Sequence, residues 1–381
     1  MRPVHVSPQP PAPAVPGFAV GGLDRLPSPA VGGRMAEGGR RLAQPPGPVR
    51  EPLVSYVTVV RNAVATLPRT LASVRAQRGV AVEHLVIDAC STDGTRAMIE
   101  AHAGQIDYYV SEPDGGLYDA LNKAMPLVRG SLVCVLNADD WLTPDAAALA
   151  LAALRRHEPR PLSSAPAPRL ILSAAWLHNG ARRRLWLPGA LDAGSWLRCP
   201  NLCHNGVYAT PAALRAAGPY DTRLRIVADT RWLLAMVDAD VAVHRISAPT
   251  VHYVTGGLSG DVTRHVQECA RLLMLGFPAL GEDEAWTLLH AFYPWAGNLR
   301  PFADRCPPHL GQALRDLALR HAGDDRLQAA LAAAGAEAQL GLPWRVEPGR
   351  PLAENLRRGA AKLWHAARDR LSGGGWQNPG V

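Results

Sequence analysis

Long apolar runs are missing from this sequence of 381 residues, although 48% of its residues are hydrophobic. No stretch approaches the roughly 20 apolar residues that a membrane-spanning helix needs. The first residues also lack the charged-then-apolar pattern of a secretory signal. The sequence therefore favours a soluble, non-secreted protein, and we expect it in the cytoplasm.

Cysteine is scarce and irregularly spaced. The six cysteines are scattered along the chain, and several stand inside apolar segments, where cysteine behaves as a small hydrophobic residue. This spacing does not indicate a disulfide framework, which agrees with a reducing compartment.

The sequence also lacks a basic segment interleaved with aromatic residues. The formal charge of +7 therefore gives little support to nucleic-acid binding, and we expect no nucleic-acid partner. A basic balance is equally compatible with phosphates or anionic lipids as partners.

Three regions of the chain differ in texture. Residues 1–50 are dense in proline and glycine, which predicts a disordered lead-in. Residues 51–265 alternate between strand-like and helical patterns, and residues 266–381 are mostly helical and rich in Ala and Leu. A basic amphipathic helix is predicted near 351–371, and its apolar stripe could pack on the rest of the chain or rest on an anionic membrane surface.

Apolar segments with many β-branched residues alternate with helical ones between residues 53 and 145. The segments LVSYVTVV, VEHLVID, IDYYVSE and SLVCVLNADD each predict a strand. This alternation predicts an α/β fold with a parallel sheet and right-handed crossovers. Further along, LILSAAWLHNGARRRLWLPG predicts a hairpin that turns at Asn179–Gly180.

Polar side chains stand at the end of each of these four predicted strands. Ligands of parallel α/β sheets bind at the carboxyl ends of the strands, so these side chains are candidates for a binding site. They are, in chain order, Arg61, Asn62, Asp88, Asp114, Asp139 and Asp140.

Asp139 and Asp140 form the most unusual of these groups. Two adjacent like charges cost free energy unless a cation or firm solvation offsets them. Mg²⁺ and Mn²⁺ prefer oxygen ligands and are usually held by one or two carboxylates together with substrate phosphates. The pair fits that demand, but Asp139 capping a turn beside a solvated Asp140 would explain the pattern equally well.

The other acidic residues also allow two interpretations. Asp88 could accept a hydrogen bond from a ligand or could stabilise a turn. Asp229 begins a helix, where an aspartate is either an N-cap or a general base at the mouth of a site. Asp119 and Lys123 have the spacing of an i,i+4 ion pair.

Five segments carry a family resemblance. VTVVRNA, VIDACSTDGT, SEPDGGLYDALNKAM, LNADD and VADTRWLL occur in this order, roughly over residues 53–260. Together they resemble the family 2 glycosyltransferases of the GT-A fold, in particular a bacterial polysaccharide (colanic-acid-type) subgroup that carries SEPDKGIYDAMNKG. The resemblance implies a Rossmann-like, mostly parallel sheet flanked by helices, to which this chain adds a helical C-terminal region.

The resemblance also implies roles for the residues at the strand ends. Arg61, Asn62 and Asp88 would line the nucleotide, with Asp88 near the base, and Asp114 would line the pocket for the donor sugar.

The remaining three acids would carry the chemistry. Asp139 would lie near the ribose and the metal, and Asp140 would ligate the Mn²⁺ or Mg²⁺ that bridges the donor diphosphate. Asp229 falls where these enzymes place the catalytic base.

A function follows from the resemblance as an expectation. The chain would be an inverting, metal-dependent hexosyltransferase that uses a nucleotide-diphosphate sugar, with a UDP-sugar favoured. The acceptor would be a glycan or a lipid-linked saccharide in bacterial surface polysaccharide synthesis, reached from the cytoplasm or from the inner face of the membrane.

Departures from the family pattern keep other functions open. Gly115 stands where the subgroup has a basic residue, and Ala89 and Cys90 stand where Gly or Asp is usual. A nucleotidyltransferase is the alternative enzyme, but VVRNAVATLPRT lacks the glycine-rich basic loop expected after its first strand. A catalytically silent nucleotide-sugar-binding or membrane-associated scaffold is the alternative from another class.

Overall fold

The computed structural model describes residues 18–29, 32–43, 53–157, 167–257 and 260–337. Ten strands lie in these segments and form one sheet in the order β1-β4-β3-β2-β5-β9-β7-β10-β6, with β8 paired to β7. The strands are β1 (Ala36–Gly38), β2 (Leu53–Val60), β3 (Ala81–Asp88), β4 (Tyr108–Ser111), β5 (Leu132–Val135), β6 (Trp141–Leu142), β7 (Arg169–Asn179), β8 (Arg182–Trp186), β9 (Val207–Ala209) and β10 (Ala242–Val254).

The four predicted strands are β2, β3, β4 and β5, and they pair in parallel as the alternation predicted. The sheet is mixed beyond them, because β9 runs antiparallel to both β5 and β7. The predicted hairpin is present, since β7 and β8 pair antiparallel around a turn at residues 180–181. Gly180 has a φ of +56°, a conformation that glycine adopts without a steric penalty.

Twelve α-helices accompany the sheet in the described residues. A helix follows each of the strands β2, β3 and β4, as the alternation predicted. The helices are α1 (Arg40–Ala43), α2 (Leu67–Arg75), α3 (Thr95–Ala101), α4 (Leu117–Ala124), α5 (Ala146–His157), α6 (Ser195–Arg198), α7 (Pro211–Ala217), α8 (Ala228–Asp238), α9 (Val262–Gly276), α10 (Glu282–Phe292), α11 (Leu310–Arg320) and α12 (Asp325–Glu337).

The side chains of the central strand β2 are buried on both faces of the sheet. Val54 and Tyr56 belong to one hydrophobic cluster, whereas Val57 and Val59 belong to another. Successive side chains of a strand point to opposite faces, so helices must cover both. Parallel sheets are almost always covered in this way, which is why such strands are continuously apolar rather than alternating.

Part of the N-terminal segment that the composition predicts to be disordered is ordered. Strand β1 pairs antiparallel with the edge strand β4, and Arg34 bonds Glu112 at 3.0 Å. Arg41 forms an ion pair with the buried Glu83. Buried carboxylates are costly unless they are paired, and the arginines of this segment provide the pairing. The proline-rich composition gave no sign of these contacts, because their partners lie far along the chain.

The helices that follow residue 262 do not form a separate core. Leu273 of α9 and Leu289 of α10 belong to the same hydrophobic cluster as Val57 of β2 and Leu121 of α4. The predicted boundary near residue 265 therefore falls inside α9, and this helical region completes the core of the sheet domain. The basic amphipathic helix predicted near 351–371 lies outside the described residues.

None of the described helices combines the length and the apolar character that crossing a bilayer requires.

Candidate active site

A cavity of about 1090 Å³ opens at the carboxyl ends of β2 and β5. The strand ends supply one side of it, through residues 59–66 and 137–139. We call these two segments the strand wall. Four predicted site residues from three distant parts of the chain line the same cavity: Arg61, Asn62, Asp139 and Asp229. The other three, Asp88, Asp114 and Asp140, do not line it directly.

Asp139 and Asp140 differ in their surroundings although they are neighbours. Asp139 is partly exposed and lines the cavity, and burial raises the pKa of its carboxyl while Arg69 opposes that shift. Asp140 is fully buried. Its Oδ1 accepts the backbone N–H of Val254 at 2.7 Å and its Oδ2 accepts the side-chain amide of Asn205. Burial, and next the charge of Asp139, raise the pKa of Asp140 well above its ordinary value.

The acidic pair is compatible with a divalent cation, although the described residues contain no group of three or more His, Cys, Asp or Glu side chains that could hold one. Asn205 lines the cavity beside Asp140, and its buried Oδ1 has no hydrogen-bond partner. Asp139 and Asn205 therefore offer oxygen atoms towards the cavity, and the buried carboxylate of Asp140 lies directly behind Asn205. Mg²⁺ and Mn²⁺ commonly take the rest of their ligands from water and substrate phosphates.

Asp88 lies beneath the strand wall rather than in it. Its carboxylate accepts hydrogen bonds from Ser91 and from the hydroxyl of Ser111 at 2.6 Å. Ser91 Oγ in turn accepts the backbone N–H of Asn62 at 2.8 Å. Asp88 thus holds the loop that positions Asn62, and Asn62 itself adopts a left-handed φ of +52°. Cys90 has the same φ, a conformation that glycine adopts without a steric penalty.

Asp114 stabilises the turn before α4. Its Oδ1 accepts the backbone N–H of Gly116 at 2.8 Å, and burial raises the pKa of its carboxyl. The predicted ion pair between Asp119 and Lys123 is present at 3.5 Å. Gly115 and Gly116, and not Asp114, line the cavity at this position.

Asp229 stands in the first turn of α8, and Val227 rather than Asp229 is the N-cap of that helix. Its carboxylate accepts the backbone N–H of Thr230 at 2.6 Å and lines the cavity. His204 and His265, both partly buried, lie close enough that Asp229 opposes the lowering of their pKa values by burial. Asp229 therefore lines the cavity and does not cap α8, and its role as catalytic base stays a prediction.

The lining of the cavity also includes several aromatic rings that lie outside the strand wall. The rings of Trp186 and Tyr253 lie 6.0 Å apart and those of Tyr293 and Trp295 lie 5.3 Å apart, edge to face in both pairs. The ring centroids of His265 and Trp295 lie 6.4 Å apart. We call these five residues, which come from β8, β10, α9 and the segment after α10, the aromatic wall.

Sequence reasoning missed the aromatic wall, Asn205 and one buried carboxylate. Glu268 of α9 is 4% exposed and accepts the backbone N–H groups of Arg225, Ile226 and Val227 at 2.8 to 3.1 Å. These three residues directly precede α8, so Glu268 fixes the segment that leads to Asp229. An acid inside an otherwise apolar helical stripe was the available signal, since such a residue is seldom buried without a partner.

A mostly parallel sheet with helices on both faces, and acids gathered at its strand ends, defines a GT-A glycosyltransferase fold. Solved structures of TarS from S. aureus share it. The structure of its residues 1–349 with UDP has a TM-score of 0.50 and 16% identity, and the match covers 85% of this chain and 93% of that chain. The structure with UDP-GlcNAc also has a TM-score of 0.50, at 15% identity. Identities this low show the fold alone.

The family model described as glycosyl transferase family 2 matches residues 55–160 of this chain. An uncharacterized glycosyltransferase of Mycobacterium tuberculosis is 41% identical over 110 residues, which are 28% of this chain and 42% of that protein. A glycosyltransferase of PGL/p-HBAD biosynthesis from Mycobacterium bovis is 28% identical over 182 residues, which are 47% of this chain and 67% of that protein. The chain thus spans only about two fifths of the first of these relatives. The expected fold is confirmed, and the family model that matches residues 55–160 is the expected one.

Proposed function

We propose that the protein transfers a sugar from a nucleotide-diphosphate sugar to a hydroxyl group of a saccharide acceptor, with inversion at the anomeric carbon. One observation carries this proposal. Arg61 and Asn62, Asp139 and Asp229 are far apart in sequence, yet all line one cavity at the carboxyl ends of the strands. The family of residues 55–160 supports the same reaction class.

The strand wall suits the donor. Asn62 and Arg61 present polar and cationic groups beside Asp139, and Asp88 fixes the loop behind them. Asp139, with Asn205 and the buried Asp140 behind it, would hold Mn²⁺ or Mg²⁺. A cation bound there would offset the charge that builds up on the leaving diphosphate. UDP is our first expectation for the nucleotide.

Asp229 suits the role of general base. In a direct displacement, the acceptor oxygen forms a bond to the anomeric carbon as the bond from that carbon to the diphosphate oxygen breaks. The electron pair of the broken bond leaves with the diphosphate, and the proton of the acceptor hydroxyl passes to the Asp229 carboxylate. Attack from the face opposite the leaving group inverts the anomeric centre.

The aromatic wall suits the acceptor. Aromatic rings offer flat apolar surface at a low cost in conformational entropy, and sugar rings present C–H faces to such surfaces. A glycan or the saccharide of a lipid-linked acceptor would lie against Trp186, Tyr253 and Trp295, with its hydroxyl towards Asp229. A lipid-linked acceptor would place the protein at the inner face of the cytoplasmic membrane, as a peripheral protein.

A thermal-shift panel with UDP, GDP, dTDP, CMP and ADP, each with and without Mn²⁺, tests the donor site. We expect one nucleoside diphosphate to raise the melting temperature only when Mn²⁺ is present, because a ligand of the folded state stabilises it by mass action. Asp139→Asn should abolish that increase. Asp145→Asn is the matched control, since Asp145 is exposed and does not line the cavity.

Two results would contradict this proposal. If no nucleotide stabilises the wild type in either condition, the acidic pair is not a donor site and the silent-scaffold alternative gains support. If stabilisation is the same for Asp139→Asn, the nucleotide binds elsewhere. Where a nucleoside diphosphate does bind, its release from the matching nucleotide sugar in the presence of a saccharide acceptor measures the transfer reaction.

A further inference from the structure

Arg225 is an exposed arginine at the cavity that forms no ion pair with any described residue. Its near neighbour Arg223 shows the contrast, because Arg223 bonds Asp221 through Nη2 at 2.7 Å and through Nε at 2.9 Å and does not line the cavity. Two arginines of one short segment are thus used differently. Arg223 is paired with the carboxylate of Asp221. Arg225 lines the cavity and has no carboxylate partner among the described residues.

Hydrogen bonds to the backbone of Arg225 and of the residues after it fix the position of this arginine. Glu268 accepts the backbone N–H of Arg225 at 2.9 Å and those of the next two residues, Ile226 and Val227. A buried carboxylate with several N–H donors is held firmly, because breaking any of these bonds leaves a polar group unsatisfied. The backbone from which the Arg225 side chain extends is therefore held in place by hydrogen bonds.

The side chain of Arg225 ends against the glycine pair before α4. Its Nη1 donates to the carbonyl oxygen of Gly115 at 3.4 Å, which is a long hydrogen bond. A Cβ atom on Gly116 would lie 3.1 Å from the same nitrogen, and Gly116 has a φ of +118°. Glycine at 116 therefore leaves the space that the guanidinium occupies. The remaining N–H donors of Arg225 are available to a ligand, since arginine carries five of them.

We propose that Arg225 binds an anionic oxygen group of the donor substrate, either a phosphate oxygen of its diphosphate or the carboxylate of an acidic sugar. The inference rests on the proposed function and adds a specificity-determining residue to it. Asp139 and Asp229 make this cavity unfavourable for an anion. A fixed cation at Arg225, on the side of the glycine pair, would therefore favour an anionic donor in addition to Arg61 and the proposed metal ion. The planar guanidinium fork matches both carboxylate and phosphate oxygens.

Four probes separate the two sources of negative charge: uridine, UDP, UDP-glucose and UDP-glucuronic acid, each titrated calorimetrically with Mn²⁺ present. The variants are Arg225→Ala and the control Arg223→Ala. If Arg225 binds the diphosphate, Arg225→Ala weakens UDP and both sugar nucleotides by about ten-fold or more and leaves uridine unchanged. If it binds a sugar carboxylate, only UDP-glucuronic acid weakens. Arg223→Ala should resemble the wild type with every probe.

Relocating the charge distinguishes binding from a merely structural role. A Cβ atom on Gly115 would meet its nearest neighbour, Asp119, at 3.5 Å, which is ordinary contact. Gly115 is also absent from the glycines with a positive φ, so the variant Gly115→Lys is sterically permitted. Combined with Arg225→Ala, it should restore at least part of the lost affinity and its dependence on salt.

Two failures have different meanings. If the wild type binds UDP and its sugar nucleotides but Arg225→Ala binds each of them equally well, the role of Arg225 is overturned and the proposed function stands. Loss of affinity that Gly115→Lys does not restore, together with an equal loss for uridine, assigns Arg225 a structural role and also overturns the inference. If the wild type binds none of the probes, nor GDP or dTDP, both proposals fall.

Discussion

The strand wall and the aromatic wall face one cavity but arise from the sequence in different ways. The strand wall comes from residues 59–66 and 137–139, which follow two parallel neighbours in the sheet. The aromatic wall is assembled from β8, β10, α9 and the segment after α10, which span residues 186 to 295. The first wall is a consequence of strand order, and the second is a consequence of how separate elements pack.

This difference suggests a division of labour. Strand ends place backbone and short polar side chains at fixed positions, which suits a substrate part that never varies, such as a nucleotide. Elements joined by loops tolerate substitution more easily, which suits the part of a substrate that distinguishes one enzyme from another. Asp229 lines the same cavity but belongs to neither wall, and Glu268 of α9 fixes the segment that leads to it.

The largest expected effect comes from Asp229, which lines the cavity outside both walls. Asp229→Asn removes the proton acceptor while keeping its shape, so kcat should fall by about 10²- to 10⁴-fold. Binding of UDP measured by calorimetry should change little, because the strand wall is intact. A variant with nearly normal kcat would exclude Asp229 as the base, and loss of UDP affinity would instead assign it to the donor.

The sequence predicted the strand wall because its signals are local. An apolar run, then a polar residue, then a helical period specifies each strand end of residues 53–145 without knowledge of distant contacts. The parallel pairing of β4, β3, β2 and β5 followed from the alternation of strands and helices with right-handed crossovers. Asp229 was located by its place in a recognised segment, and its spacing alone allowed a helix cap as well.

The aromatic wall and the N-terminal strand could not be predicted in this way. Trp186 and Tyr253 are neighbours only because β7, which pairs β8, also pairs β10, a register that no local pattern specifies. Strand β1 is three residues long and depends on Arg34 and Arg41 meeting acids near residues 83 and 112. The assignment of Asp88 to the nucleotide and of Asp140 to the metal stays a prediction, because their oxygens bond to protein groups in this structure.

The next largest effect concerns Glu268, which holds the segment that leads to Asp229. Glu268→Ala would leave three backbone N–H groups without their acceptor, and we expect a loss of about 3 kcal/mol or more in the free energy of unfolding. Chemical denaturation measures it. Glu100→Ala is the control, because Glu100 is exposed in a surface pair with Arg96 at 3.8 Å, worth about 0.5 kcal/mol or less. Equal effects would show that Glu268 does not anchor this segment.

A smaller effect tests the aromatic wall against the strand wall. Trp295→Ala should raise the KM for a saccharide acceptor by about ten-fold, the scale expected for losing one partly buried ring contact. The KM for the donor should stay the same. Asp139→Asn should show the reverse pattern, with donor binding impaired and acceptor KM little changed. If both variants raise the donor KM equally, the two walls do not divide the substrates.

The smallest effect is a difference in how the walls respond to pH without metal. Burial raises the pKa values of Asp139 and Asp140 above 3.8. The folded state therefore binds more protons than the unfolded state at pH values between 3.8 and the raised pKa values. The free energy of unfolding should fall as pH rises through this range. Burial lowers the pKa of His265 below 6.5, so its contribution has the opposite sign, and stability should fall as pH decreases below 6.5.

Melting temperatures of Asp139→Asn and His265→Asn between about pH 4 and 8, taken in buffers free of divalent ions, separate these two contributions. Asp139→Asn should lessen the loss of stability as pH rises above 3.8, and His265→Asn should lessen the loss as pH falls below 6.5. Mn²⁺ should restore stability to the wild type at the alkaline end, because it binds the ionised pair. Identical profiles for all three proteins would show that neither wall holds charge in the way the structure indicates.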